Sequence, residues 1–214
     1  MSRFVIFGAG GRVGSAAVAE AARRGHRVTA VVRDPAKYPE LGSAEQVTVV
    51  RGDATDAARV AAVAAGHDGA LNASARLDMP SEEYFTAAAH ALVTGLGKAG
   101  VERLVVLGIA STLETAPGVR IMDDPAFPEA YRLFSQGHAA EFDLLREQAD
   151  GLDWLMVVPP MDLNAEAPVT GSYRTAVGTV IEGEGRIAHA DLALALLDEL
   201  ERPAHHGVQL AVSA

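Results

Sequence analysis

The chain of 214 residues contains no cysteine. That absence removes disulfides, thiolate zinc sites and cysteine nucleophiles from consideration together. Lysine is almost missing as well, since only Lys37 and Lys98 occur. No apolar run approaches the ~20 residues of a membrane-spanning helix. The N-terminus runs straight into a strand, without the basic region and long apolar core of a signal peptide. Together these predict a cytoplasmic chain with no membrane partner. A formal net charge of −10 leaves no basic face for nucleic acid, so that partner is not expected either. An acidic chain that binds an anion must gather its positive charge locally. The acids Asp123 and Asp124 lack clustered histidines, His205 and His206 read as surface residues, and no metal set is visible.

What the sequence does have is concentrated at its start. Phe4-Val5-Ile6-Phe7 is a short apolar strand, and Gly8-Ala9-Gly10-Gly11-Arg12-Val13-Gly14 leads from it into an alanine-rich helix that stops near Gly25. In such a turn Gly8 allows a sharp exit from the strand, while Gly10 and Gly11 keep side chains away from an approaching pyrophosphate. Gly14 lets the helix pack close to the sheet. Free N–H groups and the positive end of the helix dipole then favour phosphate.

Alternation continues along the chain. Strands are predicted at 27–32, 46–51, 70–72, 101–107, 154–158 and 208–212. Helices are predicted at 57–65, with Asp56 as cap, for about 17 residues from Ser81, at 137–148, and through Leu200 behind a cap at His189-Ala190-Asp191. Short strands between amphipathic helices predict one domain over 1–214, a doubly wound parallel sheet in three α/β/α layers, the Rossmann fold. Two irregular stretches, 110–136 and 159–186, read as lids that leave the carboxyl ends of the fifth and sixth strands. Ligands of such sheets sit in that crevice.

Arg33 follows the second strand, 19 residues after Gly14. An acid there suits the ribose 2′-hydroxyl of NAD, and an arginine suits a 2′-phosphate. Guanidinium grips phosphate through paired, charge-assisted hydrogen bonds, and Lys37 and Arg12 can add charge. NADP(H) is therefore the expected cofactor, with NAD(H) left open by Asp34.

The glycine turn, Val31-Val32-Arg33-Asp34-Pro35-Ala36-Lys37, Gly52-Asp53-Ala54-Thr55-Asp56, the run Leu104 to Ser111, and Leu152-Asp153-Trp154 through Val158-Pro159-Pro160 carry a resemblance. The chain resembles the atypical short-chain dehydrogenase/reductase group, especially NAD(P)H-binding proteins related to biliverdin reductase B (flavin reductase), and more distantly NmrA-like regulators. The resemblance implies that Asp53 and Ala54 face the adenine, although Asp53 could equally satisfy its own turn. It also implies that Ala73, Ser74 and Pro159 border the cofactor. Arg76 contacts pyrophosphate or an anionic substrate on this reading, or else is a plain exposed arginine. Ser111 matches the group's active-site serine and His138 a histidine near it. Tyr131, in the first irregular stretch, could donate a proton or stack on a ring. Capping or packing roles remain open for all three.

The wider family pairs a tyrosine with a lysine four residues on, which lowers the phenol pKa. Here Tyr38, Tyr84, Tyr131 and Tyr173 are followed at that spacing by Gly42, Ala88, Ser135 and Val177. The ordinary alcohol dehydrogenase mechanism is not expected. Hydride transfer to a stacked flavin, quinone or similar conjugated acceptor needs mainly orientation. The expected function is thus an NADPH-dependent reductase acting on such a small molecule, as monomer or homodimer. The alternative is a non-enzymatic NADP(H) sensor of NmrA-like type.

Overall fold

The computed structural model describes residues 1–183 and 185–214. Its principal strands are β1 (Arg3–Phe7), β2 (Arg27–Val32), β3 (Val47–Arg51), β4 (Gly69–Asn72), β5 (Arg103–Leu107), β8 (Asp153–Val158) and β12 (Gln209–Ser213). The shorter strands are β6 (Glu114–Ala116), β7 (Val119–Arg120), β9 (Asp162–Leu163), β10 (Arg174–Val177) and β11 (Arg186–Ile187). The helices are α1 (Arg12–Arg23), α2 (Ala57–Ala64), α3 (Ser81–Ala99), α4 (Glu129–Gln148) and α5 (His189–Glu201).

Eight strands form one sheet in the order β10-β12-β8-β5-β4-β1-β2-β3. Every pairing in it is parallel except β10 with β12. The apolar runs read as strands because both of their faces are covered. Phe4 and Ile6 of β1 enter a core with α1 and α5, whereas Val5 and Phe7 enter a second core with α2, α3 and α4. Each such side chain, removed from water, contributes about 1.5–3 kcal/mol. The result is the three-layer doubly wound fold. Strand order reverses between β1 and β4, which opens a crevice at their carboxyl ends.

The departures from the sequence reading have physical causes. Helix α4 starts at Glu129 behind Pro128, eight residues before Gly137. Glycine at 137 suggested a boundary, but it lies mid-helix because a Cβ there would sit 2.7 Å from the Ser81 backbone where α3 crosses. Tyr131 is consequently on a helix and not in an irregular stretch. Asp56 does cap α2, accepting from the Arg59 amide. Asp191 caps nothing: buried, it accepts from the amides of Thr170 and Gly171 and from the Thr170 hydroxyl. It therefore ties the 170–171 turn to α5. The second irregular stretch also supplies β10, so the sheet is not wholly parallel.

Candidate functional site

The glycine turn follows from close backbone contacts. Gly8 has φ +74°, and a Cβ on it would meet the Ser74 amide nitrogen at 2.5 Å, so glycine is required where β1 passes the end of β4. A Cβ on Gly14 would lie 2.1 Å from the Gly8 carbonyl oxygen, which is what brings α1 hard against the strand end. The Gly11 amide donates to Gly8 O at 3.0 Å. The amides of Gly10, Arg12 and Val13 have no backbone acceptor among the described residues, and Gly11 caps α1 without a side-chain bond. These unpaired donors at a helix start form an anion seat.

Of these three, Gly10 lies on a cleft of about 590 Å³ lined by Gly8, Gly10, Gly11, Arg33, Lys37, Asp53, Ala54, Ala73 and Ser74 of the residues singled out from sequence. Arg76 lies in an adjoining cleft with Arg51 and Arg59, which shares Arg33, Gly52 and Asp53 with the first. Arg12 and Val13 line neither, and the charge of Arg12 is felt instead by His189, whose pKa burial and that arginine lower. The expected Arg12 contribution to the Arg33 cluster is thus replaced by Arg51 and Arg59, from β3 and α2. Asp34 is exposed and caps its own turn, accepting from the Ala36 amide at 3.3 Å. Asp53 Oδ1 accepts from the Thr55 amide and hydroxyl, so the turn role is real, while its other oxygen has no protein donor among the described residues.

Three further residues shape the cleft. Tyr38 lays its ring over Gly10, where a Cβ would come within 2.4 Å of the ring. Tyr84, in the first turn of α3, donates to Ser74 Oγ at 2.7 Å, and Ser74 donates to Asn72 Oδ1. With these protons committed, the Tyr84 oxygen offers the cleft only lone pairs. Burial chiefly pushes its phenol above the ordinary range, so it stays neutral. Asp78 bridges two arginines, at 2.6 Å from Arg76 and 3.9 Å from Arg33. The Arg76 guanidinium holds its carboxyl down to about 2. Sequence spacing hides Tyr38 and Asp78. A tyrosine in the opening turn of the helix after β4 was a usable signal for Tyr84, because that turn faces the carboxyl end of the sheet.

Ser111, Tyr131 and His138 come together on one side of α4 but line neither cleft. Ser111 donates to Ser135 Oγ at 2.8 Å, and Ser135 donates to the Tyr131 backbone carbonyl at 3.0 Å. Tyr131 is 59% exposed. His138 is buried, 3.8 Å centroid to centroid from Phe85, with Nδ1 3.2 Å from Glu141 Oε2. Glu141 is wholly buried, and its Oε1 has no partner among the described residues. Burial raises its pKa against the lowering effect of His138. Pro159 borders a separate apolar chamber beyond β5 and β8.

Residues 8–203 match a family described as NAD(P)H-binding. The chain belongs to the NAD(P)H-binding family. Within reach of this family, the uncharacterized YwnB protein of Bacillus subtilis is 32% identical over 213 residues, which cover 97% of this chain and 96% of YwnB. Among solved structures, a candidate exported protein from Burkholderia pseudomallei is similar at 36% identity and a TM-score of 0.88, with both chains fully covered. A candidate NADH-flavin reductase from Streptococcus pneumoniae is similar at 27% identity and a TM-score of 0.85, covering 100% of this chain and 99% of that one. A nicotinamide dinucleotide is the family's ligand, and the free amides and cleft dimensions fit it. No helix among the described residues is long and apolar enough to cross a membrane.

Proposed function

We propose that the protein is an NADPH-dependent reductase of conjugated acceptors. One observation carries this reading: the glycine turn, with the unpaired amide of Gly10, lines the same cleft as Arg33 and Asp53, whose second carboxylate oxygen has no protein donor among the described residues. The turn amides would hold the pyrophosphate, Arg33 with Lys37 the 2′-phosphate, and Asp53 with Ala54 the adenine. The lone pairs of Tyr84 suit a ribose hydroxyl. The nicotinamide when bound supplies a hydride, which with one proton from water converts a quinone to its hydroquinone and leaves oxidised coenzyme. The chain's own task is then to orient the partners and exclude water, since the Ser111 hydroxyl is engaged as a donor to Ser135 and His138 is buried against Phe85. In this reading Ser111, Ser135, Tyr131 and His138 hold the chain beyond β5 in place.

Purified protein with NADPH and a panel of quinones and flavins should bleach the reduced nicotinamide absorbance. The committed Ser111 proton also favours the second reading, a redox sensor that binds NADP⁺ and NADPH without consuming either. Tight binding of both coenzymes with no bleaching for any acceptor would decide for the sensor and against the reductase.

A further inference from the structure

The amino ends of β1, β2 and β3 lie at the far end of the sheet from the dinucleotide cleft, and two arginines meet there. Arg3 and Arg27 are register partners on neighbouring parallel strands. Such strands run roughly 4.8 Å apart, so the two side chains leave the same face side by side, and like charges so placed repel. No ion pair among the described residues includes either arginine. The nearby acid Asp68 spends Oδ2 on the Arg3 amide, at 2.7 Å. Helix α2 covers this face only as far as Ala64. Arg3 Nη1 reaches its foot, 3.5 Å from where a Cβ on Gly66 would stand. Below it opens a groove of about 440 Å³, walled by Arg3, Arg27, Thr29, Glu45, Thr48 and His67. His67 Nδ1 donates to Ala64 O at 3.0 Å, so its Nε2 accepts from the Thr29 hydroxyl at 2.8 Å. That pattern fits a neutral imidazole, and burial, followed by the Arg3 charge, pushes its pKa down.

We propose that this groove is an anion site for a phosphate monoester of sugar size, separate from the dinucleotide cleft, with which it shares no residue. Charge selects the ligand first. Arg3 and Arg27 stand against the single carboxylate of Glu45, which leaves the groove positive in a chain of net charge −10. Two guanidinium forks one strand apart suit a single tetrahedral dianion, because each can grip it through paired, charge-assisted hydrogen bonds. Bound between them, the dianion replaces repulsion by attraction. Thr48, the register partner of Thr29 and exposed on the same wall, brings a neutral hydroxyl to the same group. Volume selects next. The groove falls within the roughly 300–1,000 Å³ of small-molecule sites and exceeds what a bare phosphate fills, so an organic body accompanies the charge. No coenzyme enters this site, which stands or falls apart from the reductase reading.

The test follows the His67 imidazole by proton NMR in protein free of coenzyme, its signal assigned with a His67→Gln variant. The probes are ribose 5-phosphate, inorganic phosphate and, at matched ionic strength, chloride. Ribose 5-phosphate should shift the His67 signal saturably and raise its pKa, because the bound dianion offsets the Arg3 charge. Inorganic phosphate should bind at least ~5-fold more weakly, lacking the sugar's hydrogen bonds, and chloride should leave the signal in place. Arg3→Gln and Arg27→Gln, both at exposed positions, should each weaken the ester at least ~10-fold. Arg33→Glu, in the dinucleotide cleft, should leave the His67 response within about twofold, which separates this site from any phosphate on the glycine turn. A His67 signal that the ester does not move, or that chloride moves as far, would overturn the proposal. So would Arg3→Gln and Arg27→Gln proteins, both folded, that keep the wild-type affinity for the ester. Inorganic phosphate binding as tightly as ribose 5-phosphate would refute the organic body, and with it the monoester.

Discussion

Gly10 has two candidate reasons to be glycine, and a double-mutant cycle separates them. A Cβ at this position would lie 2.4, 2.5 and 2.8 Å from three ring atoms of Tyr38. All three lie well inside van der Waals contact, and they belong to a rigid ring whose neighbouring atoms pack on the α1 side of the core. The Gly10→Ala variant must therefore push the ring aside, and overpacking of this kind costs about 1–3 kcal/mol. Gly10 has no positive φ, so backbone strain adds nothing to that figure. The Tyr38→Ala variant loses only the packing of a half-buried ring. In the Gly10→Ala/Tyr38→Ala double variant the clash is gone, and the two losses should fail to add by about 1–2 kcal/mol. Urea melts of the four proteins read this coupling, and NADPH titration of the same four reads the second reason. If the glycine also leaves room for the pyrophosphate, the double variant regains stability but not affinity. Strictly additive stabilities would show that Tyr38 is not what fills the space over Gly10.

Two other perturbations probe the scaffold. Arg103 is buried, held by Asp153 at 2.9 Å and Glu199 at 3.2 Å, and donates to the Glu199 and His205 carbonyls, so Arg103→Met breaks a buried charged network and should lose about 3–5 kcal/mol. The Arg103→Met/Glu199→Met double variant should be no more stable in thermal melts, because Glu199 also accepts from the Ala204 and His205 amides and pairs with His205 Nδ1 at 2.6 Å. A double variant that recovers most of the loss would show that the Glu199 charge alone is the cause. For Glu141, burial raises the folded-state pKa above the ordinary 4.5. Its stabilising contribution is thus present below that ordinary value and is lost as pH rises through the raised one. Glu141→Gln, neutral throughout, should gain stability relative to wild type as melts move from pH 5 to pH 8. Parallel profiles would mean that the Glu141 carboxyl is no harder to ionise in the fold than in the unfolded chain.

The sheet was legible because β1, β2, β5 and β8 are apolar on both faces, and an apolar run between glycine turns has few other destinies. Gly8 and Gly14 were legible for a related reason: their spacing follows from the backbone contacts that their missing side chains permit. Gly137 misled because helix propensity is local, whereas its cause is an α3 backbone brought close only by tertiary packing. Asp191 misled similarly, since an acid at the start of a helix looks like a cap until the 170–171 turn arrives beside it. The cleft beside the glycine turn was visible in outline, yet Arg51, Arg59 and Tyr84 were not, because side chains from β3, α2 and α3 converge there from distant stretches. Glu141 shows the same limit from the other side. A carboxylate on an amphipathic helix reads as solvated, and only the packed α3–α4 interface reveals it as buried.

The central claim is that a dinucleotide sits on the glycine turn with its 2′-phosphate against Arg33. Its most direct test is fluorescence titration of wild type and Arg33→Glu with NADPH and NADH. Charge-assisted bonds to an exposed guanidinium are worth about 1.5 kcal/mol at the low end, so wild type should prefer NADPH by roughly tenfold or more. In the variant that preference should vanish or invert, with NADH affinity nearly unchanged. Equal losses for both coenzymes, or no binding of either by wild type, would contradict it.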